Sequence, residues 1–226
     1  MQRRSKQRTK PCPIRSHSSL PRISVVIAGL AVVCSVSSCG NGDSHSTEVS
    51  SQPSTTTSTT ASTPPTLTAS KLQPPSQDNE YAESSGRPKV VFDPCTWIPD
   101  SAVSSLGLDP STRERGNDMV AEYTFLTCDV SNQDESLQLD SGNVTLDEVR
   151  KKYAGRTQDV SVNGRNAVLT PNKTATDDCS IDMQTKAGYF GVTVIISTPG
   201  GVKGMKPCDN IVHVAETLEP YIGEGN

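Results

Sequence analysis

Cysteine carries most of the reactive chemistry this chain can offer, with seven thiols in 226 residues. One of them, Cys39, follows Val36-Ser37-Ser38. An apolar residue, two small ones and then Cys is the bacterial lipobox pattern. Small side chains let the backbone enter a peptidase cleft, and the freed thiol is the nucleophile that accepts diacylglycerol. Cleavage before Cys39 and lipidation of its thiol are therefore expected. Cys12 lies among basic residues and Cys34 follows the bulkier Val33, so neither suits the cut. Acyl chains contribute about 0.8 kcal/mol per buried methylene, so two or three hold a protein on a membrane.

Cys95, Cys128, Cys179 and Cys208 fall beyond residue 88. An even count in an exported chain reads as two disulfides, with three connectivities open. The pairs Cys95–Cys128 and Cys179–Cys208 are expected. The first ties an extended lead-in to a strand, and the second ties a strand to the start of the last helix. Each closes a loop of roughly thirty residues, worth on the order of 3 kcal/mol in the chain-entropy model. No metal is expected, because there is no Cys-x-x-Cys pair and only one His, His213, in this part. No cofactor is expected either.

Other candidates for chemistry are weak. A Ser-His-Asp triad would have to use His213, which lies off the apolar face of its helix, and no Gly-x-Ser-x-Gly elbow accompanies it. Asp177, Asp178 and Asp182 do not have EF-hand spacing and read as a solvated acidic turn. Pro199–Gly204 lacks the phosphate-loop pattern and reads as a mobile connection. Trp97, Tyr123, Phe125, Tyr189 and Phe190 are few enough to be core or near-core. No catalytic residue is nominated, and the chain does not read as an enzyme.

The elements around these residues divide into three parts. Residues 1–38 read as a lipoprotein signal peptide, with seven Lys/Arg, no acid and an apolar run from Ile23 to Val33. Eleven residues are too few to span a bilayer comfortably and fit a secretory h-region. Residues 39–88 read as a disordered tether. Seventeen of the thirty residues from Asn41 to Ser70 are Ser or Thr, so little is available to pack. Its mean reach is on the order of 40 Å.

Residues 89–226 read as one folded domain. Asp100 to Leu106 suits a short helix ended by Gly107. Met119–Val130 has strand periodicity, with Ala121, Tyr123, Phe125 and Thr127 on one face. Leu137 and Leu139 mark another strand. Thr145-Leu146-Asp147-Glu148 is a capping box opening a helix that presents Leu146, Val149 and Tyr153. Asn163-Gly164 marks a hairpin, and Cys179–Met183 with Tyr189–Ser197 marks a second whose last strand is central. Pro207 suits the opening of a helix carrying Ile211, Val214, Ala215 and Leu218. Hairpin connections with amphipathic helices predict α+β: an antiparallel sheet of five to six strands covered by two or three helices.

Charge limits the partners. Beyond residue 88, twenty Asp/Glu face twelve Lys/Arg, so nucleic acid is an unsuitable partner. The lipobox at Val36–Cys39, the Ser/Thr/Pro stalk, Phe92-Asp93-Pro94-Cys95, Leu106-Gly107-Leu108 and Cys128 in a strand together resemble a family of actinobacterial lipoproteins, the domain of unknown function 3558 family. The resemblance covers residues 90–220 and implies surface anchoring and disulfides, with no established activity. A non-enzymatic binding or interaction domain on the outer face of the cell membrane is expected. Its partners are the membrane, through lipid on Cys39, and an unknown envelope protein. The alternative is a carrier or sensor of a small apolar or lipidic ligand, held between sheet and helix. A cell-wall hydrolase ranks below both.

Overall fold

The computed structural model of the protein describes residues 67–224 and 226. Cys39, the leader and most of the tether lie outside the described residues. In chain order the elements are α1 (Glu80–Ser84), α2 (Pro94–Trp97), α3 (Asp100–Ser105), β1 (Asp109–Arg115), β2 (Met119–Val120), β3 (Thr124–Ser131) and β4 (Glu135–Gly142). Then come α4 (Leu146–Lys152), β5 (Gln158–Val162), β6 (Arg165–Pro171), β7 (Asp178–Gln184), β8 (Tyr189–Ile196), α5 (Thr198–Val202) and α6 (Ile211–Leu218). All strand pairings are antiparallel, in the order β1-β3-β4-β8-β7-β6-β5, with β2 on β3.

The fold is α+β, and β8 is the central strand, as its β-branched run predicts. The sheet has eight strands rather than five or six. Two of the extra strands have physical reasons to escape notice. β1 reads Asp-Pro-Ser-Thr-Arg-Glu-Arg, with no hydrophobic alternation, and its one buried side chain is Arg113. The segment expected as one strand from Met119 breaks at Ala121–Tyr123, where the Ala121 amide donates to the Tyr123 carbonyl at 3.0 Å. Beyond the break, Cys128 and Val130 face the main core, Leu126 packs with Val90 and Ala187, and Phe125 and Thr127 face the other side.

Alternation along β8 separates two layers of packing. Phe190, Val192 and Val194 join the main core with Ile181, Met183 and the apolar face of α6. Phe92 packs edge-on to Phe190 at 4.8 Å and to Trp97 at 5.6 Å. Tyr189 points to the opposite face and packs with Val168, Leu146 and Val149, so α4 covers the second side of the sheet. The helix α4 starts at its expected capping box, with the Thr145 hydroxyl and the Glu148 carboxylate serving each other's amides. The helix α6 starts at Ile211, four residues after Pro207, because Lys206–Asn210 forms a turn that brings Cys208 to β7.

The disulfides are Cys95–Cys128 and Cys179–Cys208, with Cα separations of 5.0 and 5.2 Å. Cys95 sits in α2 rather than in extended chain. Asp93 is extended but caps that helix, accepting from the Thr96 amide at 2.9 Å. Its other oxygen takes Arg115, which also reaches Asp118 and the Leu72 carbonyl. Asp100 does not cap; it pairs with Arg113, whose guanidinium also donates to the Cys95 and Ile98 carbonyls at 3.1 and 2.8 Å. Pro199–Gly204 is not a loose connection. It contributes α5, capped by Ser197 and held by the ion pair of Lys203 with Asp134 at 2.7 Å.

Residues 67–88 are packed, although composition assigns them to the tether. The Leu67 amide donates to the Thr96 carbonyl at 2.7 Å, and Leu72 is buried in the main core. Arg87 reaches Glu148 of α4 and the Asn143 carbonyl. Gln77 exchanges hydrogen bonds with the Val90 backbone and Asn79 donates to the Val120 carbonyl, so a few specific contacts dock a segment whose average composition is polar. Leu72→Ala is expected to lower stability by about 2 kcal/mol in urea unfolding followed by circular dichroism. A change within about 0.5 kcal/mol, ordinary for a surface position, would show that the segment does not belong to the core.

Candidate functional site

On the α4 side of the sheet, register sets polar side chains in rows across the strands. One row is Thr127, Asp140, Gly191, Asp182 and Val168, on β3, β4, β8, β7 and β6. The neighbouring row toward α4 is Phe125, Gly142, Tyr189 and Gln184. The two glycines make room. A Cβ on Gly191 would lie 2.7 Å from an Asp182 carboxylate oxygen, and one on Gly142 would lie 2.6 Å from the Phe125 ring.

Asp182 has no solvent exposure. A carboxylate in that position needs a counter-charge, and Lys173 supplies it, with Nζ 2.6 Å from Oδ1. Lys173 belongs to the turn between β6 and β7. That turn is folded around Asp178, whose carboxylate accepts the amides of Lys173, Thr174 and Ala175 at 2.6–2.8 Å. Asp178 and Asp182 are thus buried structural groups rather than parts of a solvated acidic turn; only Asp177 is exposed. Burial pushes the Asp140 carboxyl up to about 6, with Lys173 and a hydrogen bond from Gln138 pulling partly against it. Burial also raises Asp182 against the pull of Lys173, and it raises the Tyr189 hydroxyl well above its ordinary value.

Above these rows, α4 and the sheet border a partly open cavity of about 440 Å³. Tyr123, Phe125, Tyr153 and Tyr189 line it, with Val144 and Val149 between them. Lys152, Lys173 and Glu148 are its charged members. Glu148 is already committed: the guanidinium of Arg87 and the Thr145 amide hold its carboxyl down to about 2. Arg87 also lies over the Tyr123 ring, 4.3 Å from its centroid. A volume within the roughly 300–1,000 Å³ of small-molecule sites, walled by aromatic and branched side chains, suits an apolar ligand.

The expected aromatic residues therefore separate. Trp97 and Phe190 belong to the main core, while Tyr123, Phe125 and Tyr189 belong to the cavity. His213 is exposed on α6, and its imidazole has no hydrogen bond among the described residues. No three His, Cys, Asp or Glu side chains gather as a metal site would need, again among the described residues. Lys173 and Asp140 escape sequence reading because only the strand register brings them to Tyr189. The polar positions alternating with Leu137, Leu139, Ile181 and Met183 are the one trace they leave.

The Asp140 carboxyl gives a stability signature. Its folded value lies above the ordinary 3.8, so the folded state holds that proton more tightly than the unfolded chain does. Stability from this group is fully present below about pH 4 and is lost as pH rises through 6. Asp140→Asn is expected to match the native chain near pH 4 and to exceed it by on the order of 2 kcal/mol at pH 7.5, in urea unfolding at both values. An equal offset at both pH values would contradict this assignment.

The family model described as "Protein of unknown function (DUF3558)" matches residues 33–221. No curated protein matches the chain, and no solved structure matches it. With most of its length matched, including the cavity, both disulfides and the whole sheet, the chain belongs to the DUF3558 family.

Proposed function

We propose that the protein is a lipid-anchored binding protein of the cell envelope whose domain takes a small apolar ligand in the aromatic cavity. The observation that carries this reading is the cavity itself: about 440 Å³ between α4 and the sheet, lined chiefly by Tyr, Phe and Val. A concave, partly open space walled chiefly by apolar and aromatic side chains favours a small ligand over a flat protein-binding surface. It therefore raises the carrier or sensor reading above a purely protein-interaction role. A wall hydrolase gains nothing here, because the cavity holds no nucleophile–base pair and His213 stands apart on α6. Export and anchoring are supported by the basic leader, the apolar run and Val36-Ser37-Ser38-Cys39.

Two measurements test the halves separately. Cys39→Ala is expected to abolish palmitate labelling in cells and to move the protein out of the membrane fraction; unchanged labelling rejects the anchor. For the cavity, the full chain is expected to enhance the fluorescence of neutral N-phenyl-1-naphthylamine. Val144→Phe, which intrudes on the space, should weaken probe binding about tenfold. Val202→Phe, at an exposed site on α5, should leave it unchanged. Equal binding by both variants would reject the cavity as the site.

A further inference from the structure

Three cations converge on one ring at the edge of the cavity. The Lys152 ammonium lies 5.1 Å from the centroid of Tyr153, the Arg156 guanidinium 5.3 Å and the Lys173 ammonium 6.0 Å. They come from three separate stretches of chain: the last turn of α4, the loop after it, and the β6–β7 turn. Arg156 is held in place by donating to the Asn172 carbonyl at 2.8 Å, next to Lys173. Like charges drawn together repel, and an aromatic face returns only about 0.5–1 kcal/mol per exposed cation.

Carboxylates balance Lys173 but not the other two cations. Asp182 takes Lys173. Asp147 and Asp159 are both bound to Arg150, and Glu148 is bound to Arg87. Lys152 and Arg156 have no ion-pair partner among the described residues. Asp140 and Asp182 lie in the sheet behind Lys173, which lines the cavity where they do not. A ligand entering the cavity therefore meets the ammonium groups of Lys152 and Lys173, with the Arg156 guanidinium beside Tyr153 at its edge, on a domain that is otherwise strongly acidic.

We infer that the ligand is an amphiphile with an anionic head, its apolar body in the cavity and its head at the cations around Tyr153. This rests on the apolar-cavity reading and adds the charge and position of the head. A carboxylate and a phosphate monoester share the required chemistry.

The test uses the full chain and displacement of N-phenyl-1-naphthylamine by four twelve-carbon probes: dodecanoate, dodecyl phosphate, dodecan-1-ol and dodecylammonium. At least one anionic probe is expected to bind about tenfold more tightly than the alcohol, and the ammonium is expected to bind most weakly. Whichever anion binds more tightly identifies the head. In the double variant Lys152→Gln/Arg156→Gln the anionic advantage over the alcohol, both measured on that variant, should fall to within about twofold, and an undiminished advantage overturns the assignment of the head to these cations. Both positions are exposed, so the variant is expected to keep the native circular dichroism. Equal affinity for all four probes, or preference for the ammonium, overturns the anionic head and leaves the apolar-cavity reading standing. If neither the naphthylamine nor any of the four twelve-carbon probes binds, both readings are overturned.

Discussion

A carboxylate buried in mid-sheet obliges the rest of the site to form around it. Asp182 lies on β7 with no exposure, so a cation must reach it or the ionised group is too costly to keep. The reach sets the shape of the β6–β7 turn, because Lys173 can bring its ammonium within 2.6 Å only if the turn folds back over the sheet. Asp178 holds the turn there by accepting three successive amides. The lysine ammonium then lies 4.8 Å from the Tyr189 ring centroid, and one wall of the cavity is complete. Removing only Lys173 would leave Asp182 uncompensated, which is why ion pair, turn and cavity act as one unit.

The other end of the cavity depends on the segment before α2. Arg87 fixes Glu148 at the start of α4 and lies over Tyr123, so one side chain joins the N-terminal segment, the helix and the cavity wall. The same segment is secured by Leu72 in the core and by Arg115, which gathers Asp93, Asp118 and the Leu72 carbonyl. The Cys95–Cys128 bridge adds a covalent tie from α2 to β3. If Cys39 carries lipid, any pull along the chain enters the domain through these contacts.

Local signals in the sequence were strong where a motif acts on its immediate neighbours. The capping box at Thr145 and the Asn163-Gly164 turn need only a few residues, and both form, with φ of 50° and 87° at the two turn positions. The central place of β8 follows from a run of β-branched residues that only a doubly covered strand can bury. Signals failed where the decisive partner is distant. β1 contains no hydrophobic pattern because Arg113 replaces an apolar residue on the core side, stabilised by carbonyls of Cys95 and Ile98. Asp182 reads as one more acid near a turn, and nothing nearby marks Lys173 as its partner or Gly191 as the gap beside it. The cavity depends on register across β3, β4, β8 and β7, and register is a property of the assembled sheet.

The cations around Tyr153 show how local and global charge come apart. Lys152 has a structural reason to sit where it does, since the C-terminal turn of α4 favours positive charge through the helix dipole. That reason does not extend to Arg156, which lies past the helix, or to Lys173, which arrives from another turn. Their approach to the same ring brings like charges together where a few residues of chain could have kept them apart. Screening at physiological salt acts over about 8 Å, so the repulsion within the group is felt while the acids elsewhere on the domain are largely screened. A ligand at the cavity mouth would therefore sense Lys152 and Arg156, unpaired among the described residues, more than the net charge of the protein. Selectivity at such a site comes from contact rather than from the long-range field of the domain.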